Sequence, residues 1–370
     1  MIRILIVLIA LTLAISGTPA AAQSPANAPA PAAAGKTGTV QKITVHGRAL
    51  VGNLAGDSPD RDVFVYLPPS YAASPNRRYP VAYLLHGYGL TGEAWMKFAN
   101  IAAAADTAIA GGMRELIVVN PDAFNKWSGS MYAASPTIGD WETFIAEDLV
   151  AHIDKTYRTV ATRDGRGLGG HSMGGYGTLR IGMKRPDVFS SLYAMSACCL
   201  LNDPVALSGG GRGRGAGTAT SASTSTDTAG RNSGARTETP AAPAGRGRGF
   251  NVQGALAAAY APNPKNPPDY FDEPMKDGVL QPLIAAKYYA NSPLAMVDQY
   301  LTNLRKYKTI ALEIGDKDTL FTSNKQLSES LTNLGLAHGY AVYDGDHTNR
   351  VPQRIQEHVL PFFATNLAAR

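Results

Sequence analysis

Arg166 to Leu179, RGLGGHSMGGYGTL, is the stretch whose reading decides the fold. Within it, Gly170-His171-Ser172-Met173-Gly174 has the form Gly-x-Ser-x-Gly. The residues before it read as a short buried strand and those after it as a helix. In that strand-turn-helix setting the motif is a nucleophile elbow. A turn this sharp forces the serine into strained backbone geometry and leaves no room for side chains on either side, so glycines are needed there. A chain with 38 glycines can produce the pattern by chance. The rest of the chain has to supply the context.

Working outward, Thr39 to Tyr66 has the pattern of antiparallel strands. Buried-strand signals follow at Val81 to Leu85, Leu116 to Val119, Gly167 to His171, Leu192 to Ser196, Thr309 to Ile314 and Tyr340 to Tyr343. Helical patterns fill most gaps between them, at Gly92 to Ala110, Trp141 to Tyr157, Met173 to Lys184, Asn324 to Leu334 and Val351 to Asn366. Strands alternating with helices predict an α/β fold, a mostly parallel central sheet with helices on both faces, over residues 39–370. Two stretches interrupt it. Residues 208–249 hold Gly, Arg, Ser, Thr, Ala and Pro and read as a disordered surface insertion. Residues 250–296 regain aromatics, including Tyr260, Tyr270, Phe271, Tyr288 and Tyr289, and read as a lid-like segment or as plain packing on the sheet.

The N-terminus places Arg3 before an apolar run from Ile4 to Ile15 and ends in Ala20-Ala21-Ala22. Residues 1–22 therefore read as a secretory signal peptide, and residues 23–38 as an Ala/Pro-rich tether. Spanning a bilayer takes about 20 apolar residues, so the expectation is an exported protein, periplasmic or extracellular, without stable membrane insertion. The net charge of +5 carries little information once it is located. Six arginines against two acids between Ser208 and Gly249 hold most of it, and Arg3 holds the rest. The folded body is near neutral, which gives no support for a nucleic-acid face. The two cysteines, Cys198 and Cys199, are adjacent. Neighbouring Cα atoms lie about 3.8 Å apart, closer than the usual bridge allows. A strained vicinal disulfide and two buried thiols both remain open.

A serine hydroxyl is a poor nucleophile at neutral pH. It needs a base within hydrogen-bond reach and a third group to orient that base. On an elbow of this kind the chain order is Ser, then Asp or Glu, then His. Only His338, His347 and His358 follow a suitable acid after Ser172. His347 lies on the loop after the last strand, at the carboxyl edge of the sheet where ligand sites of open α/β folds gather. His338 precedes that strand, and His358 lies within the closing helix. For the acid, Asp316 and Asp318 compete. A carboxylate three residues past Gly315 can swing back to the histidine, which favours Asp318 and leaves Asp316 as a solvated turn residue capping the next helix. The backbone N–H groups of Met173 and of Tyr88, in the loop His86-Gly87-Tyr88-Gly89-Leu90, are the candidate oxyanion donors. His86 is expected to fix that loop. In the loop from Asn120 to Gly139, Trp127 and Tyr132 are candidate substrate-binding residues able to stack on a sugar or aromatic ring. Histidines are scattered and no zinc spacing occurs, so no metal is expected. Without Gly-Lys-Ser/Thr, nucleotide binding is not expected, and the chain should need no cofactor.

With these residues in view, the chain resembles an esterase family of α/β-hydrolases. That family groups the feruloyl and acetylxylan esterases of carbohydrate esterase family 1, S-formylglutathione hydrolases and the antigen 85 mycolyltransferases. The resemblance runs from about Arg61 to Leu200 and again from about Phe250 to Phe363. Leu85 to Gly89, Trp141 to Phe144, Gly170 to Gly175 and Gly345 to His347 carry it. It implies Ser172 as nucleophile, Asp318 as acid and His347 as base, with Met173 and Tyr88 at the oxyanion hole. It further implies a secreted serine carboxylic ester hydrolase acting on acyl or feruloyl esters of carbohydrates or other small molecules. An acyltransferase using a sugar acceptor is the alternative. The long Gly/Arg/Ser insertion departs from the family pattern, and it falls where members vary the segment covering their substrate.

Overall fold

The computed structural model describes residues 37–201 and 252–369. The expected signal peptide at 1–22, nearly all of the expected tether at 23–38 and the Gly/Arg/Ser/Thr-rich stretch at 208–249 lie outside the described residues. The fold is built around an eight-stranded sheet: β1 Thr39–His46, β2 Asp60–Leu67, β3 Val81–Leu85, β4 Ile117–Pro121, β5 Arg166–His171, β6 Ser191–Met195, β7 Thr309–Gly315 and β8 Gly339–Tyr343. The spatial order is β1-β2-β4-β3-β5-β6-β7-β8. β2 runs antiparallel to both β1 and β4, and every pair from β4 onward is parallel.

Side-chain alternation explains why both faces are covered. Val81, Tyr83 and Leu85 of β3 join one core with Ile145, Leu149, Tyr176 and Leu179. Ala82 and Leu84 join another with Trp95, Ala104, Val359 and Phe363. The inner strands β3, β4 and β6 are buried at every position, as expected of parallel strands covered on both sides. At the edge, β8 is half-buried and leaves Val342 exposed. Architecture and strand order are those of an α/β-hydrolase fold.

Three helical runs differ from the pattern in the sequence. Gly92 to Ala110 divides into Gly92–Phe98 and Ile101–Ala110, because Asn100 between them takes a left-handed conformation at φ 50°. Asn tolerates that region better than most residues do. The runs from Trp141 and from Val351 each contain a π-helical segment, at Phe144–Leu149 and Ile355–Val359. The described part of the 250–296 segment packs into the main core: Leu256, Tyr260, Phe271 and Tyr288 are all buried. Tyr270 is half-buried and Tyr289 exposed. Among the described residues, no helix is long and apolar enough to cross a membrane.

Candidate active site

Ser172 sits between β5 and the helix Met173–Lys184 at φ 56° and ψ −113°, a strained geometry for a residue with a Cβ. Close packing imposes that geometry. A Cβ on Gly174 would lie 2.0 Å from the Leu85 carbonyl oxygen, and one on Gly170 would lie 2.6 Å from the Gly174 carbonyl. The turn is pinned to the sheet as well, since the Ser172 N–H donates to the Met195 carbonyl at 3.0 Å.

Two loops from further along the chain meet this serine. Its Oγ lies 2.9 Å from His347 Nε2, and His347 Nδ1 lies 2.8 Å from Asp318 Oδ2. Asp318 also accepts the Leu320 N–H at 2.8 Å. The Asp318 side chain is fully buried and the imidazole is 32% exposed. Burial by itself would raise the Asp318 carboxyl. The hydrogen bonds from His347 and Leu320 outweigh it and hold the group below the ordinary carboxylate value. A carboxylate on Nδ1 keeps that nitrogen protonated, so the Nε2 lone pair faces the serine hydroxyl and can take its proton.

The competing residues go elsewhere. Asp316 is exposed and accepts the Gly345 N–H at 3.0 Å, tying its turn to the histidine loop rather than capping the next helix. The cap of that helix is Leu320, whose own side chain makes no capping bond and whose N–H goes to Asp318 rather than Asp316. His338 bonds Ser328 Oγ and the Leu336 carbonyl, and His358 is exposed on the closing helix.

Gly87 lies against the serine: a Cβ there would be 3.4 Å from Ser172 Cβ. The loop around it is fixed by His86, as its buried position demands. His86 Nδ1 donates to the Gly87 carbonyl, and Nε2 accepts the Ala123 N–H, both at 2.8 Å. Burial pushes this ring toward its neutral form. The Tyr88 ring and Met173 sulfur both crowd Gly129, so both candidate oxyanion residues border one loop.

Trp127 and Tyr132 belong to that loop and have opposite fates. Trp127 is half-buried, its ring edge-on to Phe271 at 5.1 Å, with the Lys126 ammonium 4.8 Å from its ring centre. Tyr132, expected to stack on a substrate, is fully buried instead and donates to the His86 carbonyl at 3.2 Å. Its ring backs the loop, because it fills the space beside Gly177. Cys198 and Cys199 are free, half-buried thiols with sulfurs 2.8 Å apart.

A buried network that no local sequence signal marks lies behind the elbow. Glu142 accepts from Arg180 Nε at 2.7 Å and from Lys184 at 2.8 Å, both on the helix that Ser172 precedes. Burial opposes the charge on Glu142, but the two cations lower its pKa. Arg180 also reaches Asn291, locking this helix to the segment after the insertion. Glu142 lies in the Trp141-Glu142-Thr143-Phe144 stretch, but nothing local names its partners.

Residues 58–351 match the family described as "Putative esterase". A stretch of 130 residues is 35% identical to an esterase of Mycobacterium tuberculosis, covering 35% of this chain and 27% of that protein. Another of 129 residues is 32% identical to an endo-1,4-beta-xylanase/feruloyl esterase of Xylanibacter ruminicola, covering 34% of this chain and 18% of that protein. Both relatives therefore lie largely outside the matched region. A solved ferulic acid esterase superposes with a TM-score of 0.60 at 22% identity, covering 90% of this chain and 99% of the other. That likeness speaks to the fold. The family match spans most of the chain, and with it the protein belongs to this esterase family.

Proposed function

We propose that the protein is an exported serine carboxylic ester hydrolase that works through an acyl-enzyme. The observation carrying this reading is the run of contacts from Ser172 Oγ to His347 Nε2 and from His347 Nδ1 to Asp318, assembled on a strained turn. Ser172 Oγ attacks the ester carbonyl carbon as His347 Nε2 takes its proton. The negative charge that develops on the carbonyl oxygen is met by the N–H groups of Met173 and Tyr88. Met173 suits this role because it begins a helix, whose first N–H groups have no partner within the helix. Collapse breaks the bond to the alcohol, which leaves with the proton from His347. Water then repeats the sequence on the acyl-serine, releasing the acid and restoring Ser172. Asp318 holds the imidazole in the tautomer that both halves require.

Acyl or feruloyl esters of carbohydrates are the proposed substrates. The support is the naming of two of the similar proteins as feruloyl and ferulic acid esterases, together with the half-buried Trp127, whose main-chain carbonyl accepts from the Tyr88 hydroxyl at 3.1 Å. Hydrolysis of p-nitrophenyl acetate and methyl ferulate by the purified chain tests the reading. Ser172→Ala should lower kcat by about 10³-fold or more while remaining folded. A variant with wild-type turnover would overturn it. A sugar acceptor added to the same assay separates hydrolysis from acyl transfer.

A further inference from the structure

His171 belongs to the elbow motif, yet the proposed mechanism leaves its chemistry unused. It ends β5 next to Ser172 and is only 3% exposed. Its Nε2 lies 2.8 Å from the main-chain carbonyl oxygen of His347. A carbonyl only accepts, so Nε2 carries the proton and donates it. Nδ1 is then left with a lone pair, and it meets no hydrogen-bond partner among the described residues. Together these contacts describe a neutral ring in one tautomer. The ring stacks on Trp95, with centroids 6.1 Å apart and planes 9° from parallel. The His347 ring lies 4.8 Å away, tilted by 43°.

We propose, on the basis of the esterase reading, that His171 is a positioning residue: an uncharged clamp that holds the main chain and ring of His347 in register with Ser172. The need for one follows from where His347 sits. Its loop leaves the edge strand β8 and is flanked by exposed Asp346 and Asn349. Asp318 and Ser172 meet the two ends of the imidazole, but bonds to the ring alone leave the main chain of His347 free to shift. The bond from His171 to the His347 carbonyl removes that freedom at the backbone. The clamp also has to stay neutral, because His347 becomes an imidazolium during the reaction and a second cation 4.8 Å away would oppose it. Burial, and then the facing His347, lower the His171 pKa to about 4, against small opposing effects of the His347 carbonyl bond and Asp318.

His171→Phe keeps a ring beside Trp95 and His347 and removes the donor. With p-nitrophenyl acetate, its kcat should fall about 10- to 100-fold while KM stays nearly constant. Counting kcat per serine titrated with a fluorophosphonate keeps unfolded molecules out of the rate. His171→Gln, which returns an N–H, should recover part of the loss. A residue that only fills the core would lower the melting temperature and leave the titrated kcat unchanged, and that result would overturn the clamp. ¹⁵N spectra of the histidine-labelled wild-type protein give a test that needs no variant. His171 should be neutral with Nε2 protonated at pH 6, and a charged ring or the opposite tautomer would equally overturn it. An active Ser172→Ala would sink the esterase reading itself. An inactive Ser172→Ala beside a wild-type-like His171→Phe would sink only the clamp.

Discussion

At the elbow, Ser172 is held by backbone: a strand end, a helix start and the Leu85 carbonyl pressed against Gly174 leave the chain one path. Across the same 2.9 Å contact, His347 is held by side chains. Asp318 grips its ring, Asp316 grips the N–H of Gly345 in its loop, and the His171 ring donates to its carbonyl. The position of Ser172, the proposed nucleophile, thus rests on the close-packed elbow glycines and on the main-chain carbonyls of Leu85 and Met195. His347, the proposed base, owes its position to residues from two other strand ends, up to 176 positions away in the chain. Backbone constraint resists any added atom, whereas side-chain constraint can be removed one bond at a time.

The largest expected effect tests the side-chain half. Asp318→Asn should lower kcat by about 10⁴-fold, because an amide on Nδ1 can stabilise the wrong tautomer. Asp316→Asn keeps an acceptor for the Gly345 N–H and should leave kcat near wild type. The reverse ranking, measured on one small ester, would move the acid role to Asp316.

Stability sharpens the same contrast. In Gly174→Ala the new methyl meets backbone atoms of Leu85 that have nowhere to go. It should destabilise the protein by about 3 kcal/mol or more. In Gly345→Ala the nearest atoms belong to the side chains of Arg350, Asn349 and Tyr343, at 2.9 Å. These can move, so about 1 kcal/mol is expected. Urea midpoints for the pair give the ordering. Equal losses would mean that the base loop is as rigid as the elbow.

A further effect should appear as a slope with pH. His171 is held near a pKa of about 4 in the folded protein, against an ordinary 6.5. Between those values the unfolded chain binds a proton that the folded chain refuses, so stability falls as pH drops through the window. The contribution is about 1.4 kcal/mol per pH unit, and His171→Phe should remove it. Asp318, whose folded pKa is depressed, adds stability above the ordinary carboxylate range and loses it only at lower pH. A stability curve for His171→Phe parallel to wild type between about pH 4 and 6.5 would show that the ring is not held neutral.

By itself, the sequence determined what depends on neighbours in the chain. Alternating apolar strands and helices specify the α/β architecture, and β3 and the helix Met173–Lys184 were legible to the residue because their boundaries are marked locally. The elbow was legible for the same reason. Tertiary structure decided what depends on residues far apart. Trp127 and Tyr132 are two aromatics in one loop, and only packing against Gly177 and His86 turned Tyr132 into buried support. Asp316 and Asp318 carry the same carboxylate two positions apart, and distance past Gly315 favours Asp318 without showing which partner each one meets. The meeting of β7 with β8 brings Asp318 to the ring and Asp316 to the loop. The Glu142 network and the bond from His171 were hidden for the same physical reason: a hydrogen bond is directional and short, and its partner is chosen by the fold rather than by position in the chain.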